Sequence, residues 1–406
     1  MTSPSAARSA NPIRLAWFAI HPIQYQAPLL RAIAQCPDIE LTALFLSDLS
    51  TRAYLDEGFG RRIEWDVPLL EGYRYEFLPG TGREVDAIRP FQPRVRALSR
   101  TVSRRHYDAV LVQGWQHYAM IQAAWLAARA GLTVLMRCEA SDHLTPGASP
   151  PARLLRETIV RALLRRVDRC MAIGTRNRDF YLARKVPSER IGSMPYCVDN
   201  DYFRSRAAAA DLAALRDELR LEGDRPVVLY AGKLTHRKLP DVLLEAYRRL
   251  GEARPYLVFA GDGELASDLA AAAAASGLRD ARFAGFRNQQ ELPAFYALAD
   301  VFVLPSVDEP WGLVVNEAMN AGCAIVVTDQ VGCAADLVRE GENGFVVPGR
   351  SAQQLAEALS ACLEQQRYRA MGARSLEIIR HWGIGENVSG LRAALGLDEG
   401  RRETRH

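Results

Sequence analysis

The chain contains no CxxC pair. Its seven cysteines, at positions 36, 138, 170, 197, 323, 333 and 362, are odd in number and scattered, and the spacing of cysteine and histidine offers no zinc site. A disulfide framework and a zinc ribbon are thereby excluded, and free, buried thiols in a reducing compartment are expected. No hydrophobic run near the start is long enough to cross a bilayer. "LAWFAI" (15–20) is too short, and the "MTSPSAARSANPIR" that leads into it lacks the apolar core of a signal peptide. The expected location is cytoplasmic. A formal net charge of only +3 gives no argument for nucleic acid, so no nucleic-acid partner is expected.

What is present is a globular composition, 49% apolar and 24% charged, in 406 residues, which is too long for one ordinary core and suits two. In the first half, short apolar runs at 13–20, 41–46, 109–114, 133–138 and 170–174 read as buried strands, with helical patterns at 118–130 and 153–169 between them. In the second half, strands are expected at 226–232, 256–263, 281–286, 301–306, 324–329 and 344–349, with helices at 239–253, 265–276, 290–298, 312–321 and 352–364. Apolar strands alternating with helices imply parallel sheets covered on both faces. The fold class is therefore α/β: two doubly wound, Rossmann-like domains facing across a cleft. The segment 191–226 passes from a strand-like start into an Ala-rich, charged stretch and marks the boundary. The expected division is 1–197, 198–380 and a tail, 381–406, that crosses back onto the first domain.

Doubly wound sheets bind ligands beyond the C-terminal ends of their strands, so the residues just after strands carry the information. After "VVLYAG" come Lys233 and Lys238, flanking a loop that runs into a helix near Pro240. Two lysines and helix N–H groups suit a phosphate or diphosphate; surface lysines are the plainer reading. After "VFVLPS" comes "VDEPWGLVVNEAMNAG", with Glu309 before a helix and Glu317 inside it. Pro310 fits a first helical turn, and Gly312 allows close approach to the backbone. The free N–H groups of 311–313 would face an anion, while the two carboxylates accept hydroxyls on either side of it, as a nucleotide sugar would present them. A helix-terminal acid plus a salt-bridged glutamate remains the alternative. A glycosidase-like acid/base pair is disfavoured, because Glu317 lies mid-helix. "FAGDGE" (259–264) is a weak glycine-loop signal, and "DND" (199–201) reads as linker in preference to a metal site.

In their order and spacing, "AGKLTHRK", "FAGDGEL", "FAGF", "LADVFVLPSVDEPWGLVVNEAMNAGCAIVVTD" and "GENGFVVP", with "PYCVDNDYF" before them, resemble the retaining glycosyltransferases of family 4, which have a two-domain GT-B fold. The resemblance covers about 170 to 365 and is loose over the first domain. It implies that Glu309 lies near the donor sugar's hydroxyls and that Glu317 binds the ribose. Lys233, where the family usually has arginine, and Lys238 would neutralise the diphosphate, while Gly232, Gly312 and Leu313 present backbone to the donor. Phe286 would lie by the base. It further implies a nucleotide-diphosphate sugar as donor, a saccharide or lipid-linked acceptor, no metal or other cofactor, and a role in polysaccharide or glycoconjugate assembly. A sugar-nucleotide epimerase or hydrolase on the same architecture, or a non-catalytic nucleotide-sugar binder, is the alternative.

The first domain departs from that pattern. "FAIHPIQYQAPLL" replaces the family's Gly-rich turn, so His21, Gln24 and Tyr25 face the cleft if the strand ends at Ile20; His21 as a helix cap is the other reading. Gln113 stands where many members have a histidine. His117, four residues on, either serves instead as a catalytic group or only begins the helix. Arg137 and Glu139 sit at another strand end, Arg137 as a candidate for the donor phosphates or an anionic acceptor and Glu139 as a cleft candidate. The arginine-rich runs 93–106 and 153–169 read as solvated faces or as attraction to anionic lipid at the inner membrane face. In the second run, Leu154, Leu155, Ile159, Ala162 and Leu163 are expected to face inward.

Overall fold

The computed structural model describes residues 11–79, 89–92, 94–143, 149–251 and 254–398. The polar leader up to residue 10, Pro93 of the first arginine-rich run and the tail from 399 lie outside the described residues.

The first sheet is parallel, with seven strands in the order β5–β2–β1–β6–β7–β8–β9. Its strands are β1 (Ile13–Ala19), β2 (Ile39–Phe45), β5 (Arg74–Phe77), β6 (Ala109–Gln113), β7 (Thr133–Arg137), β8 (Arg169–Ala172) and β9 (Ile191–Ser193). Between β2 and β5 a separate antiparallel hairpin is formed by β3 (Tyr54–Asp56) and β4 (Arg61–Ile63). The second sheet is also parallel, in the order β12–β11–β10–β13–β14–β15. Its strands are β10 (Val227–Ala231), β11 (Tyr256–Ala260), β12 (Ala281–Gly285), β13 (Val301–Leu304), β14 (Ala324–Thr328) and β15 (Gly344–Val347).

Side-chain alternation along a strand explains why both faces must be covered. In β1, Ala16 and Phe18 pack into one layer with Ala119, Ala123 and Ala127 of the helix Tyr118–Ala130. Leu15, Trp17 and Ala19 pack into the opposite layer with Leu29, Leu30 and Ile33 of the helix Ala27–Ala34. In both sheets the strand order reverses direction beside a central strand, between β1 and β6 and between β10 and β13, which opens a crevice at the C-terminal strand ends.

Each apolar run expected to be a strand is one, and each strand ends one to three residues before the run does. Those residues turn the chain into the cleft. The edge strand β5, "RYEF", and the hairpin were not anticipated, because Arg74, Tyr75 and Glu76 are exposed and polar edge strands carry no apolar run.

The helix Ile384–Ala394 lies against the first domain. Leu391 is buried with Leu15, Met171 and Met194, and Arg392 pairs with Asp38. The chain thus crosses between domains twice, near 194–200 and near 380–384. A correction concerns the helix Pro150–Leu164. Leu154, Leu155 and Ile159 are 70%, 63% and 44% exposed, and the inward residues are Val160, Leu163 and Leu164. Only the C-terminal half of this helix reaches the sheet, so its apolar N-terminal half stands clear. Among the described residues no helix is long and apolar enough to cross a membrane.

Candidate active site

A cavity of about 560 Å³ opens between the two sets of strand ends. Eight expected residues of the second domain line it: Gly232, Lys233, Lys238, Phe286, Glu309, Gly312, Leu313 and Glu317. Gln24, Tyr25 and Glu139 line it from the first domain.

The lysine loop begins where β10 ends. Gly232 takes φ +143°, and the backbone of Gly261 presses so close that a Cβ there would lie 1.8 Å from the Gly232 carbonyl oxygen. Gly263 abuts the Leu234 carbonyl in the same way. The glycines of "FAGDGE" therefore let two loops touch and set the shape of the lysine loop, a role different from wrapping a phosphate themselves. Lys233 Nζ lies 2.7 and 3.0 Å from the two carboxylate oxygens of Asp56 in the hairpin. Lys238 precedes the helix Pro240–Arg248 and donates to Glu309 Oε2.

Glu309 is buried and fixed through its own backbone, its N–H donating to Gln330 O at 3.2 Å and its carbonyl accepting from Gly332 N–H at 2.9 Å. The helix begins later than expected, at Leu313. Gly312 caps it at φ +95°, a left-handed conformation that ends any helix arriving from Pro310. Pro310 thus lies before the helix, and Trp311 Nε1 donates to Asn316 Oδ1 at 2.9 Å across the turn. The first intrahelical bond is from Val315 N–H to Gly312 O, so the N–H groups of Leu313 and Val314, both at the cavity wall, precede it. One turn further, Glu317 is 6% exposed and accepts a 2.6 Å hydrogen bond from Tyr296 Oη–H. Burial raises its pKa from the usual carboxylate value to about 7, against the lowering effect of the tyrosine bond.

On the first-domain wall, Tyr196 donates its hydroxyl to Glu139, and the hydroxyls of Tyr25 and Tyr196 are 3.0 Å apart. Burial pushes the Glu139 carboxyl above its ordinary range. Four expectations are corrected here. His21 is turned away, its Nδ1 lying 3.0 Å from both the Pro22 carbonyl oxygen and Ser50 Oγ, and it does not line the cavity. His117 caps its helix, Nδ1 accepting from Ala119 N–H at 3.1 Å, so the helix-start reading holds and a catalytic part at this cavity does not. Gln113 ends β6 outside the cavity wall. Arg137 is buried outside the cavity wall, its Nε donating to Met194 O and its Nη2 to Pro195 O and Asn387 Oδ1, so it ties the interdomain crossing together.

Asp199 of "DND" caps the helix Asn200–Ala208, accepting from Tyr202 N–H at 3.0 Å, which is the linker reading. No group of three or more His, Cys, Asp or Glu side chains among the described residues is placed to hold a metal ion.

Sequence reasoning missed the hairpin's share of the site, Asp56 and Phe59, and the part of Tyr196. One signal in the sequence does mark the lysine loop. The chain has only three lysines, Lys185, Lys233 and Lys238, within 51 lysines and arginines, and two of them flank one strand-end loop. Where arginine is the default cation, a lysine marks a position that wants a compact point charge.

Two facing parallel sheets with the cavity at their C-terminal ends define the GT-B class. In keeping with that, HepE from Anabaena, crystallised in complex with UDP, superposes with a TM-score of 0.70 at 16% identity, over 95% of this chain and 100% of that one. Sucrose-phosphate synthase from Thermosynechococcus elongatus gives 0.66 at 20% identity, over 96% and 98%. In sequence, the family described as glycosyl transferases group 1 matches residues 212–375, and the glycosyl transferase 4-like domain matches 47–197. The GDP-mannose-dependent alpha-(1-6)-phosphatidylinositol monomannoside mannosyltransferase of Mycobacterium tuberculosis is 34% identical over 271 residues, 63% of this chain and 68% of that protein. Alpha-D-kanosaminyltransferase of Streptomyces kanamyceticus is 30% identical over 247 residues, 58% of this chain and 63% of that protein. The chain belongs to the glycosyl transferases group 1 family and is a glycosyltransferase.

Proposed function

We propose that the protein is a retaining glycosyltransferase that needs no metal and moves a sugar from a nucleotide-diphosphate sugar to a saccharide or lipid-linked acceptor in polysaccharide or glycoconjugate assembly. The observation that carries this is the grouping of Lys233, Lys238, the helix start at Gly312, Glu309 and Glu317 on one wall of one cavity. As the bond from the sugar's anomeric carbon to the diphosphate breaks, negative charge grows on the leaving oxygen. Two ammonium groups and a helix N-terminus stabilise that charge at fixed positions without a cation cofactor. The acceptor hydroxyl forms the new bond on the face the diphosphate leaves, and its proton passes to the leaving phosphate. Glu309 and Glu317 hold sugar and ribose hydroxyls.

The test is mass spectrometry after incubation with UDP-, GDP-, ADP- and dTDP-sugars, with and without saccharide and lipid-linked acceptors. Sugar transfer that requires the acceptor and keeps the anomeric configuration supports the reading. Conversion of the sugar nucleotide without any acceptor would show an epimerase or hydrolase, and tight binding with no turnover a non-catalytic binder.

The helix Pro150–Leu164 supports a membrane-surface acceptor. Leu155 and Ile159 fall on one helical face, with Leu154 and the exposed Arg153 and Arg156 beside them, an arrangement that suits an anionic bilayer. Co-sedimentation with vesicles containing phosphatidylglycerol should exceed that with phosphatidylcholine alone. Leu155→Glu with Ile159→Glu should reduce it about tenfold or more. Equal sedimentation of wild type with both vesicles would remove the membrane part of the proposal.

A further inference from the structure

The hairpin β3–β4 belongs to neither sheet, yet it reaches across the cleft at the point where the diphosphate is proposed to bind. Its Asp56 carboxylate accepts the Gly58 and Phe59 N–H groups at 2.9 and 3.1 Å and at the same time grips Lys233 with both oxygens. Gly58 is required for that approach: a Cβ there would stand 2.6 Å from Lys233 Cδ. Beyond it, the Phe59 ring meets Phe286 edge-on at 5.0 Å, and the Arg61 guanidinium lies 5.2 Å over the same ring and 3.5 Å from Asp262. The root of the hairpin is held by Asn288 Nδ2 donating to Glu64 O at 2.7 Å.

We infer that the hairpin is a gate on the donor site, in which Asp56 takes on Lys233 the place that the donor diphosphate takes when it binds. The inference rests on the donor-site reading above. A carboxylate and a diphosphate both need the ammonium at hydrogen-bond distance, and each repels the other there. The donor therefore competes with Asp56 and releases the hairpin from Lys233. The Phe59 and Arg61 contacts to Phe286 lie beside the expected base position, so a bound nucleotide loosens them together with the Asp56 contact. The gate couples donor binding to a contact between domains.

The pair is only partly shielded, with the Lys233 side chain 36% and the Asp56 side chain 13% exposed, so the expected effect is moderate. Asp56→Asn keeps an oxygen for the Gly58 and Phe59 amides and removes the charge. By calorimetry it should bind UDP, GDP, ADP or dTDP, whichever wild type binds, about three- to tenfold more tightly. In wild-type protein, hydrogen exchange of amides 54–63 should speed up on adding that nucleotide, a readout that needs no variant. Unchanged or weaker binding by Asp56→Asn, or slower exchange in the hairpin of wild type, overturns the gate while leaving the donor site standing. If wild type binds none of the four nucleotides, the donor-site reading falls and the gate with it.

Discussion

Lys238→Ala is expected to lower kcat/KM for donor turnover by about 10²–10³-fold, the usual cost of removing one preorganised group from a developing anion. The lysine is well placed for this. Its side chain is 15% exposed, so solvent screens it little, and it lies on the same cavity wall as the helix start at Gly312. The variant also leaves the Glu309 carboxylate buried without its cation, which should cost about 2–4 kcal/mol of stability. These two effects separate in the double variant Lys238→Ala with Glu309→Gln, which removes the stranded charge. Its melting temperature should return toward wild type while turnover stays low. Steady-state kinetics and thermal melts of the three proteins check this. Turnover by Lys238→Ala within about twofold of wild type would end the diphosphate assignment of this lysine.

Glu317→Gln should produce opposite changes in stability and ligand affinity. With its pKa raised to about 7 by burial, Glu317 carries its proton in the folded protein under conditions where the unfolded chain has lost it. Its favourable contribution is complete below the unfolded pKa of about 4.5 and is lost as pH rises to about 7. At pH 8 the ionised, buried carboxylate costs the fold on the order of 3 kcal/mol. Glutamine retains an acceptor for the Tyr296 hydroxyl and cannot ionise, so the variant should melt higher than wild type at pH 8 and close to it at pH 4.5. On the proposed ribose role the ionised form is the useful one for nucleotide binding, since ribose hydroxyls would donate to it. Nucleoside diphosphate affinity of wild type should therefore rise with pH up to about 7 and then level. In the variant it should be about 10- to 100-fold weaker and nearly independent of pH, the range for losing hydrogen bonds to a charged group. A 2′,3′-dideoxy nucleotide should bind wild type and variant alike. Equal loss with that analogue would point to a structural effect of the substitution and remove the ribose from this assignment.

The second domain was largely legible because its signals are local. Buried parallel strands read as apolar runs, and the site residues follow them within a few positions: Gly232 and Lys233 after β10, Phe286 after β12, Glu309 soon after β13. Their convergence on one cavity follows from the rule for doubly wound sheets. Exact helix starts were not legible, because Gly312 could be read as a flexible helical residue until its left-handed conformation placed the cap there. The first domain was less readable for a different reason. Its share of the site comes from a polar hairpin and from residues whose partners are distant in sequence. Nothing near Asp56 in the chain announces Lys233, and nothing near Arg137 announces Asn387, 250 positions on. Arg137 and Lys233 look alike from sequence, cations just after or at the end of a strand. Only packing separates them, since Arg137 is buried against Met194, Pro195 and Asn387 at the interdomain crossing and Lys233 lines the cavity.

The double passage of the chain between domains limits how the cleft can move. A single connecting strand would let one domain pivot about any axis. Two, cross-braced by Arg137 donating to Pro195 O and Asn387 Nδ2 donating to the same carbonyl at 2.7 Å, restrict that pivoting and favour a rotation about the line that joins them, as two pins guide a door. In such a rotation displacement grows with distance from the pins. The Tyr25–Tyr196 contact lies beside them and should hardly shift, while the hairpin on Lys233 should swing through a longer arc. A small angular change would then separate charges at the mouth and leave the floor in register, a nearly rigid base beneath a movable rim.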